Sequence, residues 1–316
     1  MYIVHDHLDG GLNPETLLEM AISARYEPIM DLTVDETAKL MDKSNSDSLE
    51  DFLSAFTHTI SVMQTYDNLE KISFESAEKM HNDGVKYYET RFAPLYSTNS
   101  ELNIKDVIYA INSGLLSAKA KYGIVSGIIV CGMRNDEDNV KKLAEHSIND
   151  IKEDIIGFDI AGPEKGYPPS LYKDLFKNLN KNGINITIHA GEGAGVDYIQ
   201  DAINCGAERI GHGVRIIEDI VLENDNFKLG NTAKYILENQ IPLEICISSN
   251  IHTKMYNSYE EHPVKILYDI GFNISINTDN RLMSNTSVIK ELDIAHQLGI
   301  DRNVNDKLTS YSFLKI

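Results

Sequence analysis

The residues most able to do chemistry fall at the ends of short apolar runs. One run ends in His5-Asp6-His7, another in Asp159-Ile160-Ala161-Gly162, and another in His189-Ala190-Gly191-Glu192. Further along, a run carries His212, the next ends in Ser248-Ser249-Asn250, and the last in Asp279-Asn280. His5 and His7 are two apart, so on a strand their side chains share a face. Neutral imidazole is the commonest metal ligand. His189 adds a third nitrogen and Asp279 a hard oxygen. Three His and one Asp suit Zn²⁺ with a position left for water, although Fe²⁺, Co²⁺ or Mn²⁺ also accept such ligands. A catalytic dication of this kind lowers the pKa of bound water to about 7. Glu192 follows His189 by three residues and is the leading candidate for an acid that protonates a substrate. His212, flanked by Gly211 and Gly213, is a candidate base or electrostatic guide for the attacking water.

The elements that must bring these residues together alternate along the chain. Strands are predicted at Tyr2–His7, Val85–Ala93, Ile124–Cys131, Ile155–Ala161, Asn185–His189, Arg209–Val214, Pro242–Ser248 and Phe272–Thr278, all rich in Ile, Val, Tyr or Phe. Amphipathic helical patterns lie between them, among them Pro14–Ala24, Ser48–Gln64, Ile104–Tyr122 and Ser287–Leu298. Several stop at a glycine such as Gly123 or Gly271, which can take the left-handed conformation after a helix. Eight strands alternating with helices predict an α/β fold, an eight-stranded parallel TIM barrel with extra helices after its first strand, as one domain over residues 1–316. A doubly wound open sheet is the alternative. In a barrel the C-terminal strand ends converge on one mouth, where the active site lies.

Composition narrows the partners. The chain has 316 residues, 29 Lys+Arg against 48 Asp+Glu, and a net charge of −19. This argues against a nucleic-acid partner, which needs clustered cations, and against an anionic membrane surface. With 42% hydrophobic and 24% charged residues the chain reads as a soluble globular protein. No apolar run approaches the roughly 18–20 residues of a membrane span, and the N-terminus lacks a signal-peptide pattern. Cys131, Cys205 and Cys246 are odd in number and far apart, and read as small buried residues. A cytoplasmic location is expected. Gly191-Glu192-Gly193-Ala194-Gly195 lacks the spacing of a dinucleotide loop and the Lys of a P-loop. The H-x-E with P-C-x-x-C signature of cytidine-type zinc deaminases is absent.

Six segments together carry a family resemblance. His5-Asp6-His7-Leu8-Asp9-Gly10, Gly157-Phe158-Asp159-Ile160-Ala161-Gly162, Thr187-Ile188-His189-Ala190-Gly191-Glu192, Arg209-Ile210-Gly211-His212-Gly213, Leu243-Glu244-Ile245-Cys246 with Ser249-Asn250, and Asn277-Thr278-Asp279 resemble, in order and spacing, the motifs of adenosine deaminases, the bacterial branch most of all. The resemblance implies a (β/α)₈ barrel and zinc-dependent hydrolysis of adenosine, and of 2′-deoxyadenosine, to inosine and ammonia in purine salvage. It implies one Zn²⁺ on His5, His7, His189 and Asp279, and a proton given by Glu192 to purine N1. His212 and Asp279 would orient and deprotonate the attacking water. Gly162 would bond purine N3 through its backbone, and Asp9, with His7 nearby, would hold the ribose 5′-hydroxyl. Asn280 stands where much of the family has a second Asp against N7; its amide can still donate or accept. The closing helix is expected to be short. The alternative substrate is another 6-aminopurine, adenine or a 5′-modified adenosine. A purine-binding protein without catalysis and a metallohydrolase of another substrate class are the remaining readings.

Overall fold

The computed structural model describes residues 1–99, 101–224, 226–306 and 311–314. Strands β1 (Tyr2–His7), β2 (Tyr87–Phe92), β3 (Val125–Met133) and β4 (Gly157–Ala161) pair in parallel in that order. A second parallel sheet runs through β5 (Thr187–Ala190), β6 (Arg209–His212), β7 (Leu243–Ile245) and β8 (Ile274–Ile276). Single parallel bridges, Phe158 to Ile186 and Asp6 to Asp279, join the sheets on both sides and close the ring. At the second seam His7 N–H donates to Asp279 O at 2.9 Å and Asp279 N–H donates to His5 O at 3.1 Å. Helices follow the strands on the outside, and an antiparallel hairpin, Ile220–Glu223 with Asn226–Leu229, leaves the β6 end. The expected parallel barrel is the fold observed.

Local chemistry explains most element ends. The helix Pro14–Ala24 starts where Asn13 accepts from Glu15 N–H at 3.1 Å, with Pro in the first turn. Gly123, at φ 73°, ends the helix Ile104–Tyr122. The predicted helix Ser48–Gln64 is two, Leu49–Leu53 and Phe56–Val62. Ser54 Oγ donates to Asp51 O at 2.6 Å and ends the first, a competition for backbone partners that periodicity does not reveal. The extra helices expected after β1 include Glu27–Met30 and Val34–Met41, for which the sequence reading sets no bounds. The second carries a readable signal, the Thr33–Glu36 capping box.

One correction bears on the site. The predicted strand Pro242–Ser248 stops at Ile245, and the chain turns into a short helix, Ile247–His252. Ser248, Ser249 and Asn250 therefore lie on that helix and not on a strand end. Buried Glu291 accepts from Ser248 N–H at 3.2 Å, satisfying one of the helix's first free donors.

The apolar core lies between strands and helices, with Ile3, Tyr88, Ile128, Val130, Ile188 and Ile210 among its fully buried members. The barrel interior below the mouth is charged instead. Arg91 donates to Asp159 at 2.7 Å and to Glu244 at 2.9 Å, and Arg209 donates to Glu244 at 2.7 Å and to Glu89. Phe313 covers the Arg209 guanidinium at 3.7 Å from ring centroid to carbon, and its N–H donates to Glu89 at 2.8 Å. The expected short closing helix falls partly on residues 307–310 and 315–316, outside the described residues. All three cysteines are buried and unpaired. Among the described residues no helix is long and apolar enough to cross a membrane.

Candidate active site

Four residues from three strand ends converge. His5 and His7 project from β1, His189 from β5, and Asp279 from the turn after β8. One ligand atom from each lies within 4.8 Å of the others, and all four residues are buried. His5 Nε2 and His7 Nε2 are each 3.4 Å from Asp279 Oδ1, and His7 Nε2 is 3.3 Å from His189 Nε2. The cluster fits a dication on two observations. His5 Nε2 and Asp279 Oδ1 are buried without any hydrogen-bond partner. Three nitrogens and one oxygen are also the donor set of a catalytic zinc site.

The outer partners of the ring nitrogens set which atoms face inward. His5 Nδ1 meets Glu244 Oε2 at 2.8 Å, and His189 Nδ1 meets Asp159 Oδ2 at 2.8 Å. Burial opposes ionisation of both carboxyls, but the balance falls well below the usual range: Arg91 and Arg209 hold Glu244 down, and His189 and Arg91 hold Asp159 down. Both are therefore carboxylates that accept from Nδ1–H, leaving each Nε2 lone pair toward the cluster. Burial lowers the His189 pKa to about 4, so that ring is neutral at pH 7. For His7 burial also disfavours the charged form, but Asp9 and Asp279 outweigh it and raise the pKa.

A cavity of about 240 Å³ opens above the cluster. Asp9, Gly162, Glu192, His212 and Asn280 line it, and Leu49, Phe52, Leu53 and Phe56 from the two short helices form an apolar wall. Burial, then the Asp279 and Glu164 carboxylates, pushes Glu192 well above the usual carboxylate range. Asp279 lies well below it: burial raises its pKa, but the adjacent His5 ring, then the nearby His7 and His212 rings, prevail. The two carboxyls are thus driven apart into an acid and a base. His212 Nε2 is 3.7 Å from Glu192 Oε2. His212 at φ 60° and Asp279 at φ 54° are both left-handed, a strain of about 1 kcal/mol or more each for a residue with a Cβ. Gly211 lets these rings approach: a Cβ there would stand 3.2 Å from His5 Cε1. Cys246 also lies beside His5, His212 and Asp279, but burial, then Asp279, holds its thiol protonated.

All nine residues singled out from the sequence line the cluster or its cavity: His5, His7, Asp9, Gly162, His189, Glu192, His212, Asp279 and Asn280. Sequence reasoning gave no role to Asp159, Glu244, Arg91 or Glu164. Charged residues inside otherwise apolar strand runs were the signal for the first three. Glu164 is buried and accepts four backbone N–H bonds, from Gly191 (2.6 Å), Glu192 (3.0 Å), Gly193 (2.6 Å) and Ala194 (2.9 Å). It holds the loop that carries Glu192, and nothing in its spacing announced this.

Comparison with known proteins agrees with this geometry. The family model described as adenosine deaminase matches residues 2–310. "Adenosine deaminase 1" of Streptomyces coelicolor is 40% identical over 299 residues, 92% of this chain and 75% of the relative. The adenosine deaminase of Mycobacterium marinum is 41% identical over 298 residues, 92% of this chain and 82% of the relative. In fold, the chain resembles adenine deaminase from Arthrobacter aurescens (TM-score 0.77, 21% identity, 98% of each chain). It also resembles Arabidopsis ADAL complexed with GMP (TM-score 0.81, 20% identity, 99% of this chain and 91% of the other). By sequence over nearly its whole length, the chain belongs to the adenosine deaminase family.

Proposed function

We propose that this protein hydrolyses adenosine, and 2′-deoxyadenosine, to inosine and ammonia. The observation that carries the reading is the pairing, in one cavity, of the His5–His7–His189–Asp279 cluster with a Glu192 kept protonated by its surroundings. One Zn²⁺ on those four residues, when bound, supplies Lewis-acid activation of water at neutral pH. Glu192 gives its proton to purine N1, which draws electrons from C6 and opens it to attack. Asp279, an ionised carboxylate beside the site, takes a proton from the attacking water, while His212 orients it. The proton held by Asp279 passes to the C6 amino group, which leaves as ammonia, and the C6 hydroxyl gives up its proton to restore Glu192 as the C6 carbonyl forms.

Recognition falls to the cavity walls. Asp9 Oδ2 accepts from Ala93 N–H at 3.3 Å, whereas its buried Oδ1, 3.7 Å from His7 Nδ1, makes no hydrogen bond and can accept from the ribose 5′-hydroxyl. Gly162, at φ 92° on the rim, offers its backbone N–H to N3. Asn280 reaches N7 with an amide whose Oδ1 is likewise buried and free. The hydrophobic helix wall covers the purine face. An Asp9 oxygen that lacks a hydrogen bond favours a nucleoside over free adenine, because binding adenine would leave it without a donor. The test is a panel of adenosine, 2′-deoxyadenosine, adenine and 5′-modified adenosines beside metal analysis. Loss of adenosine's ultraviolet absorbance with release of ammonia is expected. Turnover of adenine with none of adenosine would overturn the reading.

A further inference from the structure

The fourth histidine of the site has a hydrogen-bonding environment opposite to that of His5 and His189. His212 Nδ1 meets no carboxylate; it is 3.1 Å from the side-chain nitrogen of Asn250. Asn250 Oδ1 is 3.1 Å from His262 Nε2, and Val264 N–H points at His262 Nδ1 at 3.2 Å. The last contact fixes all the others. A backbone N–H can only donate, so His262 Nδ1 must be a bare acceptor. Val264 opens the helix Val264–Ile270, whose first N–H groups have no partner within the helix, so this donor is committed outward. Burial lowers the His262 pKa to about 3, and the neutral ring carries its one proton on Nε2. That proton must go to Asn250 Oδ1, which leaves the Asn250 amide nitrogen to donate to His212 Nδ1. The amide orientation thus follows from the backbone. His212, Asn250 and His262 are all nearly inaccessible, at 1%, 0% and 4% exposure, so bulk water is largely kept from rearranging the chain.

We propose that Asn250 and His262 are positioning residues, forming a one-way relay from the Val264 N–H that fixes His212 with its proton on Nε2. His212 then presents an N–H toward the cavity on the side of Glu192. In the deaminase reading, on which only this last point rests, it guides and hydrogen-bonds the attacking oxygen and leaves proton removal to Asp279. The three imidazoles of the cluster turn Nε2 inward as well, but for His5 and His189 it is a lone pair. Unlike His5 and His189, His212 is held as a donor.

The ring proton can be read directly by long-range ¹H–¹⁵N correlation spectra of the zinc-loaded protein labelled at histidine, with His212 assigned by the resonance lost in His212→Gln. The wild type should show Nε2–H at His212. Asn250→Asp places an acceptor against Nδ1 and should move the proton to Nδ1, with kcat falling on the order of 10²-fold and KM little changed. His262→Gln, whose amide can still donate to Asn250, should keep Nε2–H, whereas His262→Phe should not. An Nδ1 proton at His212 in the wild type overturns the relay, as does an unchanged His212 signal in Asn250→Asp. The spectra need no substrate, so a protein inactive on adenosine would fail the deaminase reading while leaving the relay testable.

Discussion

A single carboxylate holds both ends of His189: Asp159 Oδ2 meets the ring Nδ1 at 2.8 Å and Asp159 Oδ1 accepts the His189 backbone N–H at 3.1 Å. Ring orientation and strand register at this point are therefore one constraint. Asp159→Asn keeps the shape but loses the charge and offers an N–H where an acceptor is needed. Metal affinity should fall about 10–100-fold. Competition titration against a chelator measures it, and an unchanged affinity would remove Asp159 from the support of the cluster.

Glu192→Gln keeps volume and removes the transferable proton. kcat should fall by roughly 10²–10⁴-fold while metal content stays at the wild-type level. In the wild type, burial and the nearby Asp279 and Glu164 carboxylates raise the Glu192 pKa, so the acid stays protonated above the ordinary glutamate range. The lowered pKa of Asp279 keeps the base ionised below the usual carboxylate range. Activity limited by Glu192 should therefore decline only on the alkaline side. A kcat/KM profile that declines with rising pH through the ordinary glutamate range would contradict the assignment of Glu192 as the acid.

Gly10→Ala is a small change with a steric cause. A Cβ at position 10 would stand 2.1 Å from Asn280 Oδ1 and 2.9 Å from Asn280 Cβ, so the amide must leave its place. Crowding should cost about 1–3 kcal/mol of stability. If Asn280 binds the purine, KM should rise as well. A displaced Asn280 with unchanged KM would separate that residue from substrate recognition.

Acid should unfold the barrel from its interior. Asp159 and Glu244 ionise below their ordinary values of 3.8 and 4.5 in the folded protein, so the unfolded chain binds more protons in that range. Their contribution is complete above the ordinary values and is lost as pH falls toward the folded ones. The melting temperature should begin to fall below the ordinary histidine value of 6.5, because the unfolded chain also protonates His189 and His262 there, and should drop further through the carboxylate range. In Glu244→Gln the drop should shrink, although the variant starts lower, by about 3–5 kcal/mol, because Arg91 and Arg209 lose a buried partner. Equal acid sensitivity in both proteins would assign the transition to other groups.

The ends of the strands were the legible part of the sequence. His5, His7, His189 and Asp279 could be grouped because parallel strands feeding outer helices leave their C-terminal ends at one mouth. The support beneath was harder to see. Alternation marks the inside of a sheet when the inside is apolar, and here Glu89, Arg91, Asp159, Arg209 and Glu244 fill the barrel interior with paired charges. Asn250 and Glu164 were obscure for another reason. The first depends on a strand ending three residues earlier than its apolar run, and the second on a loop folding back over a carboxylate. Both are tertiary facts with no local period.

The seam between β1 and β8 also has a consequence for biosynthesis. His5 is made long before Asp279, yet each hydrogen-bonds across the same bridge and both belong to one four-residue cluster. A growing chain holds three of the four residues long before the strand that closes the ring has been synthesised. Until then the β1 edge is unpaired and the histidines lack their carboxylate. Assembly of the cluster thus marks completion of the barrel, and a chain truncated before β8 should retain most of the apolar core sequence but no assembled site.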